Sequence, residues 1–195
     1  MVGICLPSPP MPTEREKMVS GEFYDPCDSE LIAARRAARL ATEAFNATST
    51  DDYQERIGML KDLFGSTGDS VFVEPSFRCE YGFNIHVGDN FCANFDCVIL
   101  DCAEVRIGKN CMIAPQVGIY TAYHPLDAAL RISGKELAAA VTIGDNCWIG
   151  GHATINPGVV LGDNVVVASG AVVTKSFGDN VVLAGVPARV IRTLA

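Results

Sequence analysis

The chain has 195 residues, with 49% hydrophobic and 19% charged residues. That is enough apolar material for one packed domain with appendages, and too little charge for a disordered chain. A formal net charge of −8 lacks the basic footprint that nucleic acid needs, so an anionic ligand would require a local cluster of Lys and Arg.

In chain order, residues 1–12 read as a proline-broken, disordered tail. Val2-Gly3-Ile4-Cys5-Leu6 is too short for a secretory h-region before Pro7. Residues 13–65 read as a helical cap. Glu14 to Ser20 can form one helix. Asp28 N-caps a second through about Phe45, with Leu31, Ala34, Ala38, Ala41 and Phe45 on one face. Thr50 caps a third with Tyr53, Ile57, Leu60 and Phe64 inward, and Gly65 stops it.

From about Val71 helical spacing gives way to a period of six. Ile143, Ile149, Ile155, Leu161, Val167 and Val173 stand six apart. Two positions before them come Val141, Cys147, Ala153, Val159, Val165 and Ala171. A strand turns residues two apart to one face, so each hexad supplies two inward side chains and then a turn. Three hexads close a triangular coil, and coils stack through parallel backbone hydrogen bonds. Turns such as Gly88-Asp89-Asn90, Gly108-Lys109-Asn110, Gly144-Asp145-Asn146 and Gly162-Asp163-Asn164 carry residues that tolerate positive φ. The expected fold is mainly β, a parallel β-helix over residues 66–176. It is followed at 177–195 by a closing strand and a short C-terminal helix. The period itself leaves the hand of the coil open.

One long interruption, residues 120–140, breaks the coil, and such a break in a solenoid is usually functional. It holds Tyr123-His124-Pro125-Leu126-Asp127.

Eight cysteines form no C-x-x-C pair and no small-domain framework. Cys79, Cys97, Cys111 and Cys147 occur two before corner residues and read as buried hydrophobes. No apolar run approaches the roughly 18 residues of a membrane span. Scattered thiols suit a reducing compartment, so the expected location is cytoplasmic.

The runs Asn84-Ile85-His86-Val87-Gly88-Asp89-Asn90, Ala93-Asn94-Phe95, His124-Pro125-Leu126, Ile143 through Gly151, Ile155-Asn156-Pro157-Gly158-Val159, Val172-Val173-Thr174-Lys175 and Ala184-Gly185-Val186-Pro187-Ala188 together resemble the maltose and galactoside O-acetyltransferases. Glu16-Lys17-Met18 through Gly21-Glu22-Phe23-Tyr24-Asp25 looks like that family's N-terminal cap, and the resemblance spans about residues 14–194. It implies a left-handed coil, a homotrimer with inter-subunit active sites, acetyl-CoA as donor and no metal.

The resemblance also implies site roles. His124 matches the family's catalytic histidine and would be the general base, since imidazole titrates near neutrality. Glu136, on the return limb of the same loop, could orient its ring. Gly150-Gly151 lets a backbone N–H, that of Gly151, reach the thioester oxygen. Trp148 would cover the pantetheine arm. Ser169, Thr174, Lys175, Arg189 and Arg192 would meet the polar and phosphate groups of coenzyme A. Asp25, Glu80, Asn94 and Asp101 fall where the family contacts sugar hydroxyls, a task suited to carboxylates and amides. Cys92 and Cys102 depart from the galactoside pattern and lean towards the maltose type. His86 and His152 read as structural.

Rival readings are a zinc carbonic anhydrase, which needs three converging histidines, a non-catalytic β-helix scaffold, and an acetyltransferase for an antibiotic, a serine or an amino sugar.

Overall fold

The computed structural model describes residues 11–195, so the tail expected over residues 1–12 lies outside the described residues as far as Pro10. The cap consists of α1 (Glu14–Ser20), α2 (Ser29–Asn46) and α3 (Tyr53–Leu63). Thr13 opens α1 with a capping box, its Oγ1 accepting from Glu16 N at 3.1 Å while Glu16 accepts from Thr13 N at 2.8 Å. The Asp28 carboxylate caps α2 through Glu30 N and Leu31 N. Helix α3 departs from expectation. Asp52 rather than Thr50 is its N-cap, and the Asp52 carboxylate turns back to Ser49 N at 3.2 Å. Tyr53, expected inward, is 42% exposed. Arg56 is buried instead, its guanidinium bonded to Thr48 Oγ1 at 2.7 Å and 3.5 Å from Glu74.

The coil follows. Its first turns are β1 (Val71–Val73), β2 (Phe77–Cys79), β3 (Ile85–Val87), β4 (Phe91–Ala93), β5 (Cys97–Leu100), β6 (Val105–Ile107), β7 (Met112–Ile113) and β8 (Gly118–Tyr120). After an insertion come β11 (Val141–Ile143), β12 (Trp148–Ile149), β13 (Thr154–Ile155), β14 (Val160–Leu161), β15 (Val166–Val167), β16 (Val172–Val173), β17 (Val181–Ala184) and β18 (Arg189–Thr193). These strands make three faces. The first is β1-β4-β7-β12-β15-β17-β18, the second β16-β13-β8-β5-β2, the third β14-β11-β6-β3. All pairings are parallel except β17 with β18.

Hexads explain the layers. Ile113, Ile149 and Val167 stand in register on the first face, Ile99, Ile119, Ile155 and Val173 on the second, and Ile107, Ile143 and Leu161 on the third. All are buried, and burying each aliphatic side chain contributes about 1.5–3 kcal/mol. Cys97, Cys111 and Cys147 fill the small inward slots as expected. Cys79 is also buried but stands opposite Ile99, in the corner register itself.

Turns on the third–first edge divide their labour among residues. In each triplet the Asn takes the positive φ, at 56° for Asn90, 57° for Asn110, 59° for Asn146 and 54° for Asn164. The glycine is needed for space: a Cβ on Gly144 would meet Gly162 C at 2.6 Å. Asn side chains bond up the edge, Asn90 to Asn110 at 3.0 Å and Asn110 to Asn146 at 2.9 Å.

The expected C-terminal helix is a strand. Val190, Ile191 and Thr193 are β-branched, and β18 returns antiparallel onto β17 to cover the edge of the first face.

Candidate active site

The insertion carries β9 (Ala122–Tyr123), α4 (Ala128–Ile132) and β10 (Leu137–Ala138). Asp127 caps α4 by accepting from Leu130 N at 2.9 Å, and the Arg131 guanidinium donates to the carbonyls of Pro125 and Leu126 at 3.0 and 2.9 Å. Strands β9 and β10 pair antiparallel with Tyr123 opposite Leu137. The next pair outward is therefore His124 and Glu136. On the other side of Glu136 lies Tyr24, joined by an antiparallel bridge. Tyr24 N donates to Glu136 O at 3.2 Å and Glu136 N donates to Tyr24 O at 3.1 Å. Residues directly opposite in antiparallel pairs share a face. The side chains of Tyr24, Glu136 and His124 thus form a row.

Distances along the row follow from this register. The Tyr24 hydroxyl donates to Glu136 Oε2 at 2.7 Å. Glu136 Oε1 lies 3.9 Å from His124 Nε2, beyond hydrogen-bond range, and such contacts often tighten only once substrate is bound. Tyr24 is 1% exposed. Burial, with the Cys102 and Glu136 groups beside it, pushes its pKa up and keeps the phenol a donor. The His124 side chain is 57% exposed and open to a ligand.

Beneath the row is a rigid corner between the second and third faces. Asp101 was expected to bind a sugar hydroxyl. It is 0% exposed, and its carboxylate accepts from Glu80 N at 3.0 Å, Tyr81 N at 2.9 Å and Asn84 N at 3.3 Å. Its oxygens are committed to the turn, so direct contact with an acceptor is closed to it. Burial pushes its pKa up, against the pull of those amides. Thr121, also 0% exposed, donates to Leu100 O at 2.6 Å and accepts from Ala103 N at 2.9 Å. Glu80 lies 3.5 Å from Arg35 and 3.9 Å from Arg39. Burial raises its pKa, the two guanidinium groups oppose this, and Glu136 adds repulsion. Asp25 is exposed beside Tyr24, its Oδ1 accepting from Cys27 N at 2.8 Å. Thr174 and Lys175 follow β16 on this same second–third edge, with Lys175 Nζ 5.4 Å from the Phe177 ring centre.

The remaining expected residues stand elsewhere. Trp148 projects from the first face, half-exposed, between Met112 and Val166 in register. Cys92 lies in the same outward column, opposite Met112. Asn94, Gly150, Gly151 and Ser169 follow that face's strands at the first–second edge. A Cβ on Gly150 would meet Ser169 N and Val167 O at 2.7 Å. Gly150 N donates to Val167 O at 2.7 Å, whereas Gly151 N has no acceptor among the described residues. Arg189 and Arg192 are exposed on β18. One side of the prism, the length of β5, separates this edge from His124. A single chain does not bring the two sets together.

Comparison with known proteins fits this arrangement. Residues 17–68 match the maltose acetyltransferase hexapeptide capping motif and residues 140–175 a hexapeptide repeat of succinyl-transferase. The galactoside O-acetyltransferase of Escherichia coli K12 is 41% identical over 92% of this chain and 88% of its own length. A maltose O-acetyltransferase from Clostridium difficile 630 superposes with a TM-score of 0.93 at 51% identity, over 94% of this chain and 98% of that one. A galactoside acetyltransferase in complex with coenzyme A superposes at 0.91 with 39% identity, over 95% and 92%. The chain belongs to the maltose and galactoside O-acetyltransferase family.

It is therefore an acetyltransferase, and the scaffold reading falls away. The carbonic anhydrase reading also finds no support in the geometry. His86 lies on the third face, His124 in the insertion and His152 at the first–second edge, and no metal-holding group of His, Cys, Asp or Glu occurs among the described residues. Of the two residues expected to depart from the galactoside pattern, Cys92 is half-buried on the outer first face. Cys102 is buried against Tyr24, its thiol pKa pushed up to about 12 by burial.

Sequence reasoning missed Tyr24 and Thr121 as builders of the site. Tyr24 stood within a quoted cap motif, and the usable signal was that a buried tyrosine hydroxyl needs a partner.

Proposed function

We propose that this acetyltransferase moves an acetyl group from acetyl-CoA to a hydroxyl of a sugar or sugar-like acceptor, with His124 as general base. The acceptor hydroxyl gives its proton to the imidazole as its oxygen attacks the thioester carbon. The carbon–oxygen bond forms and the carbon–sulfur bond breaks. The departing thiolate takes the proton back from the imidazolium. The Gly151 N–H, without an acceptor among the described residues, suits the developing oxyanion. Glu136 favours the His124 tautomer whose proton faces it, leaving the other ring nitrogen free to accept.

The observation that carries this reading is the exposed His124 opposite Glu136 in the long insertion of the coil. Asp25 and Glu80 border it and suit an acceptor with several hydroxyls. Acetyl-CoA as donor is supported by the relative solved with coenzyme A.

The split between edges supports a homotrimer. On the second–third edge Asp25 and Glu80, His124, then Thr174 and Lys175 follow one another up the coil. On the other edge Asn94, Gly151, Ser169 and the β18 arginines do so in the same order. Two copies side by side would bring acceptor, reacting and donor groups together at matching heights. The seven described cysteines are free thiols, in keeping with a cytoplasmic enzyme.

The test is His124→Ala, assayed by thiol release from acetyl-CoA with whichever of a panel of maltose, galactosides and glucosides the parent enzyme acetylates. Turnover should fall by about 10²–10⁴-fold, the range for a lost general base. The thermal midpoint and calorimetric coenzyme A binding should not change. Near-parental turnover would overturn the base assignment.

A further inference from the structure

Tyr24, at the end of the cap's first turn of chain, bonds the residue that faces His124. We infer that Tyr24 is a positioning residue for catalysis: its hydroxyl fixes the Glu136 carboxylate, which in turn aims the His124 ring. The inference rests on the reading of His124 as base. Three observations carry it.

First, Tyr24 grips Glu136 at three points, through two backbone bonds of 3.2 and 3.1 Å and the hydroxyl–carboxylate bond of 2.7 Å. A lone loop carboxylate would sample several rotamers, and one held at backbone and side chain does not. Second, the grip is buried. Tyr24 packs with Met18, Leu31, Tyr81, Cys102, Ala103 and Ala138. The tyrosine ring is thus wedged between cap, corner and insertion, and its hydroxyl, beside the Cys102 thiol, donates to Glu136. Third, the two Glu136 oxygens are divided between Tyr24 and His124. Oε2 takes the Tyr24 hydroxyl and Oε1 faces His124 at 3.9 Å. Cap docking is therefore coupled to the orientation of the base, across 112 residues of sequence between Tyr24 and Glu136.

Fold maintenance alone would account for the backbone bonds and the buried ring. It would not account for the placement of the hydroxyl on the one carboxylate that faces His124. Tyr24→Phe keeps the ring and both backbone bonds and removes only that hydroxyl. Glu136→Gln attacks the same link from the other side.

The experiment compares the full-length parent, Tyr24→Phe, Glu136→Gln and the double variant. Initial rates are read by thiol release with the sugar that the parent acetylates. Tyr24→Phe should lower kcat about tenfold, as losing an outer partner of a reacting imidazole typically does, and leave KM for acetyl-CoA within twofold. In the Glu136→Gln background the same substitution should add almost nothing, because the two act as one unit. Histidine-selective 15N NMR without substrate gives a second readout. In the parent the two His124 ring nitrogens should show well-separated shifts of a single tautomer. In both variants they should move together towards a mixture.

Unchanged kcat and tautomer in Tyr24→Phe, or kcat losses that multiply in the double variant, would overturn the inference. Such a result alongside an inactive His124→Ala leaves the base assignment standing. Full activity in His124→Ala removes the base assignment, and the tautomer measurement then decides by itself whether Tyr24 orders the ring.

Discussion

In the coil, each residue packs against its own counterparts one turn above and below. Around His124, the neighbours come from unrelated stretches of chain. The spacing between stacked partners shows the contrast. Along the coil's third–first edge it is 20 residues from Asn90 to Asn110, 18 from Asp145 to Asp163 and 16 from Asn164 to Asn180. Where the insertion intervenes, between Asn110 and Asn146, it is 36. From Tyr24 to Glu136 it is 112. Periodic structure holds itself through repetition, whereas the site is held by single long-range contacts that no neighbour duplicates. Stability and chemistry should therefore separate under mutation.

The largest separation should come from Ile149→Ala set against His124→Ala. Ile149 is 0% exposed and sits between Ile113 and Val167. A prism interior cannot collapse without moving coils, so truncation should cost about 2–5 kcal/mol, the range for large-to-small core changes. Urea titration measures that loss. The kcat of the enzyme that remains folded should stay within a factor of two. A stability loss under 1 kcal/mol, or a parallel loss of kcat, would break the proposed division.

Glycines sharpen the contrast within the coil itself. Gly162 and Gly178 occupy the same place in two Gly-Asp-Asn turns. A Cβ on Gly162 would meet Asp179 N at 2.8 Å and Gly178 C at 2.9 Å, while one on Gly178 meets nothing within 4 Å. Gly162→Ala should thus cost about 1–3 kcal/mol by overpacking. Gly178→Ala should be neutral or gain up to about 1 kcal/mol from a less entropic unfolded chain. Equal effects in thermal melts would mean that the turns relax more freely than their stacking implies.

The cap offers a smaller effect, since its helix starts are local. Asp28→Ala removes the acceptor for Glu30 N and Leu31 N and should cost about 1 kcal/mol. Because Leu31 belongs to the cluster around Tyr24, kcat at a temperature well below the melt tests whether fraying of α2 reaches the site. The expected change is less than twofold.

How much was legible follows the same division. The six-residue period disclosed the coil, its inward columns and its single break, because every hexad restates the same geometry. It could not tell which member of a Gly-Asp-Asn turn takes positive φ, since all three tolerate it; stacking distance decides, and that is a property of the assembled coil. His124 and Glu136 could be picked out because they lie on two limbs of one insertion. Asp101 was misassigned because a carboxylate that accepts sugar hydroxyls and one that accepts backbone amides look alike in sequence. The end of the chain was misread for a different reason. Val190-Ile191-Arg192-Thr193 fits either a short helix or a strand, and the unpaired edge of β17 chose the strand.

The smallest effect belongs to His86, on the outer third face. Its Nδ1 lies 2.9 Å from Ser66 Oγ and its Nε2 3.9 Å from Glu104, which Arg106 holds at 2.7 Å. Burial, then Arg106, lower its pKa from 6.5, and Glu104 pulls the other way. The sign follows from linkage. With the folded pKa below the unfolded one, the unfolded chain takes up the proton first as pH falls through 6.5. His86 therefore subtracts stability as pH falls through that window, until the folded chain is protonated too. Above 6.5 it subtracts nothing. His86→Gln keeps a polar group beside Ser66 and cannot titrate. Urea midpoints of parent and variant between about pH 5 and pH 7.5 should diverge on the acid side, with the parent losing more. Parallel curves would show that this histidine is electrically silent in the fold.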